Sequence, residues 1–178
     1  MNSGDDELKE GEPLISRVEV LVLDGNNFSE AGASTLTQAM ADRPEQANEE
    51  AKSASSLKFR EISFHENSQL GTPEAVRALV NGLARADVQV NTLRLADCNL
   101  TPEGGYALAE IIKDWHGIRH LDLRDNDLDD GAATALLKAC GDESAPHCVL
   151  DLEGNEGISD EIFRRVDMAR GVEAFFRS

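Results

Sequence analysis

Five short stretches of the chain share one spacing: an apolar residue, two others, a second apolar residue, one other, a third, two others, then asparagine or cysteine. Val18, Leu21, Leu23 and Asn26 follow it, as do Phe59, Ile62, Phe64 and Asn67, then Val90, Leu93, Leu95 and Cys98. Ile118, Leu121, Leu123 and Asn126 continue the series, and His147, Leu150, Leu152 and Asn155 close it with a polar first position. The anchors at 26, 67, 98, 126 and 155 stand 41, 31, 28 and 29 residues apart. A period of this length implies a stacked array, because one unit cannot bury both of its faces alone.

Each unit reads as a short strand, a turn and a helix. In the strand the repeated apolar residues point inward and the residues between them point out. The chain then turns, and the Asn side chain is suited to hold backbone groups that have left the strand ladder. Cysteine is smaller and bonds more weakly, so the turn at Cys98 is expected to be held less firmly. Helical spacing follows each turn: Gly32, Leu36 and Met40 fall four apart, as do Gly104, Leu108 and Ile112. Thr72-Pro73-Glu74 and Thr101-Pro102-Glu103 read as helix starts, with a Thr cap, Pro in the first position and an acid near the positive dipole end. Ser159-Asp160-Glu161 is a proline-free version.

This pattern resembles the leucine-rich repeat superfamily, in particular its long-repeat subtype, found in ribonuclease inhibitor, Ran GTPase-activating proteins and NOD-like receptors. The resemblance runs from about Leu14 to the C-terminus, and cysteine at an Asn position is familiar in that subtype. Two features depart from it. Units two and five place the next apolar residue (Leu70, Ile158) one position late, and unit four has Ala132 where Gly is usual. The implied fold is an α/β, right-handed β-α solenoid of about five repeats, with a short parallel sheet on the concave face and helices on the convex face. Residues 1–13 are expected to be an acidic, disordered tail, and 14–178 the repeat domain, with Leu14 and Ile15 covering its first strand. A polar insertion at about 41–56 reads either as a tolerated surface loop or as a binding loop. The helix at about 159–177 reads either as the cap of the array or as a docking helix, since its four arginines contrast with the acidic body.

A net charge of −17 repels phosphate backbones and anionic headgroups, so nucleic acid and membrane surfaces are poor partners and basic protein surfaces are better ones. The first residues lack the apolar run of a secretory signal, and no stretch offers the ~18 apolar residues of a membrane span. Three cysteines without paired spacing favour free thiols in the cytoplasm or another reducing intracellular compartment, with a Cys140–Cys148 bridge as the minor alternative.

The segment "RDNDLDDG", Arg124 to Gly131, invites a calcium-loop reading. Counted from Asp125, however, the turn position holds Asp130 rather than Gly, and the bidentate position holds Leu136. The four histidines lack metal-helix spacing, and no nucleophile or phosphate-loop motif is present. No catalytic residue, metal or cofactor is expected.

The outward strand positions form columns: Val20, Glu61, Thr92, His120, Val149; then Val22, Ser63, Arg94, Asp122, Asp151; then Asp24, His65, Ala96, Arg124, Glu153. From these, Glu61, Ser63, His65, Arg94, His120, Asp122, Arg124, Asp151 and Glu153 are the candidate partner-binding residues. Asn26, Asn67, Cys98, Asn126 and Asn155 form the structural turn ladder. Arg94 and Arg124 either neutralise neighbouring aspartates or anchor a partner carboxylate. Trp115 is expected to serve packing. The expected function is a non-catalytic protein-interaction module, an adaptor or a subunit of a larger assembly. Two alternatives come from resemblance alone: a Ran-directed GTPase activator, and a domain like those of actin pointed-end cappers.

Overall fold

In a computed structural model, the described residues are 18–42, 57–141 and 148–176, with side chains described as far as Met168. The tail 1–13, Leu14 and Ile15, residues 43–56 of the insertion, His147, Arg177 and the side chain of Arg170 lie outside them. Strand and helix alternate along the chain: β1 (Val20–Val22), α1 (Glu30–Ala41), β2 (Leu57–Ser63), α2 (Pro73–Arg85), β3 (Val88–Arg94), α3 (Pro102–Ile112), β4 (Ile118–Asp122), α4 (Asp130–Ala139), β5 (Val149–Asp151) and α5 (Asp160–Phe176).

The five strands form one parallel sheet in the order β1-β2-β3-β4-β5. Leu21, Ile62, Leu93, Leu121 and Leu150 pair in register across it. Their side chains meet Val76, Leu79 and Leu83 of α2, Leu108 and Ile112 of α3, and Leu136 of α4 in one continuous core. Trp115 is part of that core, and its indole N–H donates to the Val88 carbonyl at 3.2 Å. Neighbouring strands sit about 4.8 Å apart, whereas packed helices need about 8–10 Å. A stack of such units therefore bends with the sheet on the inside. This is an α/β leucine-rich-repeat-type solenoid.

Local chemistry starts the first four helices. Thr72 Oγ1 accepts from the Ala75 N–H and Thr101 Oγ1 from the Gly104 N–H, each followed by proline. Asp129 Oδ1 accepts from the Ala132 N–H at 2.8 Å, and Ser29 caps α1 in the same way. Every unit leaves its strand through a left-handed residue: Gly25, Glu66, Asp97, Asp125 and Gly154 have φ of 65°, 59°, 53°, 56° and 79°.

The ends of the array differ. At the last strand Leu150 and Leu152 are buried, and α5 packs on β5 with Ile162 and Val166 buried. At the first, the equivalent Leu21 and Leu23 are only half-buried, and Val18 and Val22 are exposed.

Candidate functional site

Strand register sets the outward face. Val20, Glu61, Thr92, His120 and Val149 lie side by side, and so do Val22, Ser63, Arg94, Asp122 and Asp151. Backbone bonds one residue further on, Glu66 N–H to Ala96 and Asp97 N–H to Arg124, carry the alignment into the third column.

Five of the candidate residues form a chain of alternating charge. Arg94 reaches Glu61 through Nη1 and Asp122 through Nε, each at 3.3 Å. Arg124 grips Asp122 with a fork, Nε to Oδ1 and Nη2 to Oδ2, both at 2.9 Å, and its Nε lies 3.6 Å from Asp151. Its backbone N–H adds a third bond to Asp122 Oδ1 at 3.2 Å. Planar guanidinium matches carboxylate in this way, which makes the pair both strong and directional. Asp122 is almost fully buried beneath the two arginines, whose side chains remain 37% exposed. The paired donors of Arg94 and Arg124 are therefore committed within the sheet face.

Burial pushes the Asp122 carboxyl up, but the Arg124 side chain and backbone, together with Arg94, outweigh it and hold the group below the usual carboxylate range. Bonding to Asp122 raises Arg124, and bonding to Glu61 raises Arg94. A lowered carboxylate pKa contributes stability that is present above the unfolded value, about 3.9, and is lost as pH falls through the folded value. Asp122→Asn should therefore lower stability by about 1–2 kcal/mol at pH 7. The gap to the unsubstituted protein should narrow below about pH 4. Urea denaturation at pH 7 and pH 3 checks both, and a gap that persists undiminished at pH 3 contradicts the assignment.

Ser63 and His65 belong to a second cluster. The Ser63 hydroxyl donates to Asp24 Oδ1 at 2.5 Å, and the His65 N–H donates to the same oxygen at 2.9 Å. His65 Nδ1 lies 3.0 Å from the Ala96 carbonyl. Its Nε2 lies 3.1 Å from Glu66. His120 is half-buried in the first column, and Glu153 is exposed beside Asp151, whose Oδ1 accepts the Glu153 N–H at 3.4 Å. Asp24 holds the second cluster together, although only its column position is visible in the sequence. The exposure of Val22 is the other feature missed there; its signal is an apolar residue at an outward position of the terminal strand.

Behind the face runs the amide ladder. Asn67 Oδ1 accepts from the N–H groups of Asn26 and Phe28, and its Nδ2 donates to the Leu23 and Phe64 carbonyls. Asn126 does the same for Cys98 and Leu100 N–H and for the Leu95 and Leu123 carbonyls, while Asn155 takes the Leu128 N–H. At the third position the Cys98 thiol donates to the Phe64 and Ala96 carbonyls at 3.2 and 3.4 Å. Burial pushes that thiol up to about 11, so it stays protonated and serves as a donor. A thiol cannot copy the amide oxygen. The preceding unit accordingly closes itself through a 3-10 turn at Ser68–Gly71, with Leu70 N–H donating to Asn67 O. In unit five the Ile158 N–H makes the same bond to Asn155 O, so the late apolar residue in both units follows from a self-closed turn.

Three aspartates of the acidic turn have structural tasks. Asp125 occupies the left-handed position, Asp129 caps α4, and Asp130 accepts from the Ser159 N–H at 2.6 Å, tying α4 to the start of α5. Among the described residues no group of three or more metal-ligating side chains is assembled. Cys98, Cys140 and Cys148 form no disulfide and are buried. No helix among the described residues is long and apolar enough to cross a membrane.

Comparison with known proteins agrees with this geometry. A leucine-rich repeat family model matches residues 90–109 and 118–137, the third and fourth units. The human NACHT, LRR and PYD domains-containing protein 13 is 35% identical over 74 residues, 42% of this chain. The mouse NACHT, LRR and PYD domains-containing protein 4E is 31% identical over 75 residues, again 42%. In both cases the matched stretch spans 7% of the relative's own length.

Proposed function

Starting from the fact that the chain is a leucine-rich repeat protein, we propose that it is a non-catalytic adaptor or assembly subunit that binds a basic protein surface on its sheet face. Protein–protein interaction is the role its repeats and relatives suggest; the adaptor role, the face and the partner's charge are the proposed refinements. The observation that carries the reading is the charge of the aligned columns. Asp24, Glu61, Asp122, Asp151 and Glu153 stand against Arg94 and Arg124 alone, and both arginines are already paired with these carboxylates. A partner then meets an acidic face with rigid, preformed side chains, which favours fast, salt-sensitive association.

Thr92 and Glu153 lie on this face outside the charge chain, so a Thr92→Arg, Glu153→Lys variant tests the surface without dismantling its support. Proteins captured from native lysate by the unsubstituted chain should be retained at least about tenfold less by the variant, with capture falling as salt is raised. Full retention of every captured protein by the variant means that binding occurs elsewhere.

A further inference from the structure

The open end of the array is built differently from its sheet face. In β1, the Glu19 carbonyl accepts from the Arg60 and Glu61 N–H groups, and the Leu23 and Gly25 N–H groups donate to the Ser63 and His65 carbonyls. In a parallel ladder alternate residues face opposite neighbours, so Val20 and Val22 turn their N–H and C=O groups away from β2. Among the described residues no strand lies on that side, where β1 ends the sheet. Val22 is 56% exposed and Val18 36%. The amide ladder is open at the same edge. Asn26 Nδ2 donates to the Asp24 carbonyl, but no N–H among the described residues reaches its Oδ1, the atom that pins the preceding unit at Asn67, Asn126 and Asn155. Backbone groups, apolar side chains and ladder acceptor all stop at one edge.

We infer that the β1 edge is a docking site for an extended, basic and apolar segment of another protein, which adds a sixth parallel strand beside Val20 and Val22. Strand addition of this kind draws its affinity from backbone bonds and its selectivity from alternate side chains. Charge selects the occupant. Residues 18–42 contain Glu19, Asp24, Glu30 and Asp42, all exposed, and no Lys, Arg or His. A second copy of the chain would bring the same carboxylates to the edge. Side chains alternate along the added strand, so its apolar residues extend the core over half-buried Leu21 and Leu23 while its lysines line the outward face, stems over Val22 and ammonium groups toward Asp24.

Amide hydrogen exchange on the whole chain tests this with two synthetic probes, a seven-residue peptide alternating lysine and valine and its glutamate–valine counterpart. In the free protein the Val20 and Val22 amides should exchange rapidly while Leu23, bonded to Ser63, is protected. The lysine peptide should slow Val20 and Val22 saturably, by about tenfold or more, and the glutamate peptide should not. Val22→Pro removes the edge donor without touching the β2 ladder, so it should abolish this protection at unchanged thermal stability. Strong protection of Val20 and Val22 in the free chain overturns the proposal, because the chain then covers its own edge. Equal effects of the two peptides, or none from either, also overturn it. A Val22→Pro chain that still gains full protection at Val20 does the same.

Discussion

Replacing Asn126 with alanine is expected to cost about 4 kcal/mol, because it leaves several buried backbone groups without partners at about 1–3 kcal/mol each. The side chain is 5% exposed, and its oxygen takes the N–H groups of Cys98 and Leu100. Its nitrogen reaches the carbonyls of Leu95, Leu123 and Arg124. No other position carries so much of the third turn, since that turn's own anchor is Cys98 and a thiol offers no amide oxygen. For a chain of this size the loss corresponds to a fall in Tm of about 10 °C. Cys98→Ala removes only weak S–H bonds and one buried sulfur, and should cost about 1–2 kcal/mol. Urea titration of the two variants side by side checks the ladder account, and equal costs would refute it.

Gly71→Ala is expected to lose about 3 kcal/mol or more, the upper range for forcing extra volume into a packed interior. A Cβ at Gly71 would run into the Asn99 carbonyl oxygen, with the Asn99 carbonyl carbon at 2.5 Å and the Cys98 carbonyl oxygen at 2.6 Å. All three are backbone atoms, so no side chain can swing aside. The 3-10 turn of unit two lays Gly71 directly on the next unit's loop, and the Gly71 carbonyl in turn faces the Thr101 N–H at 3.4 Å. The same substitution at Gly32 meets only the Phe28 ring, at 3.4 Å or beyond, and should be mild. Thermal melts of both variants separate the cases, and equal destabilisation would mean that the contact at Gly71 is not what costs.

The repeat itself was fully legible in the residues. The spacing of Leu93, Leu95 and Cys98, repeated at Leu121, Leu123 and Asn126, locates strands, turns and inward faces because side-chain direction alternates residue by residue along a strand. Helix starts at Pro73 and Pro102 were legible for the same local reason: a Thr cap followed by Pro satisfies the first turn without distant help. Even the late Leu70 and Ile158 were visible as departures. The cause at Leu70 was not, because it lies in the thiol of Cys98, which stands one unit further on where an amide oxygen would otherwise be.

The outward columns were readable as lists, yet a list does not say which charges neutralise one another. Arg94 and Arg124 fall at outward positions of different columns, and only the packed sheet brings both onto Asp122 and buries that carboxylate between them. Ser63 and His65 likewise meet on Asp24, 39 and 41 residues away in the chain.

Periodicity is a local property, carried by alternation along each strand, so the array, its inward core and its turn ladder follow from the residues alone. Pairing and exposure are relations between units. The charge chain on the sheet face, the close approach at Gly71, and the contrast among the described residues between buried Leu150 and Leu152 at β5 and exposed Val18 and Val22 at β1 arise only when neighbours stack, because each depends on what stands about 5 Å away across the sheet rather than along the chain.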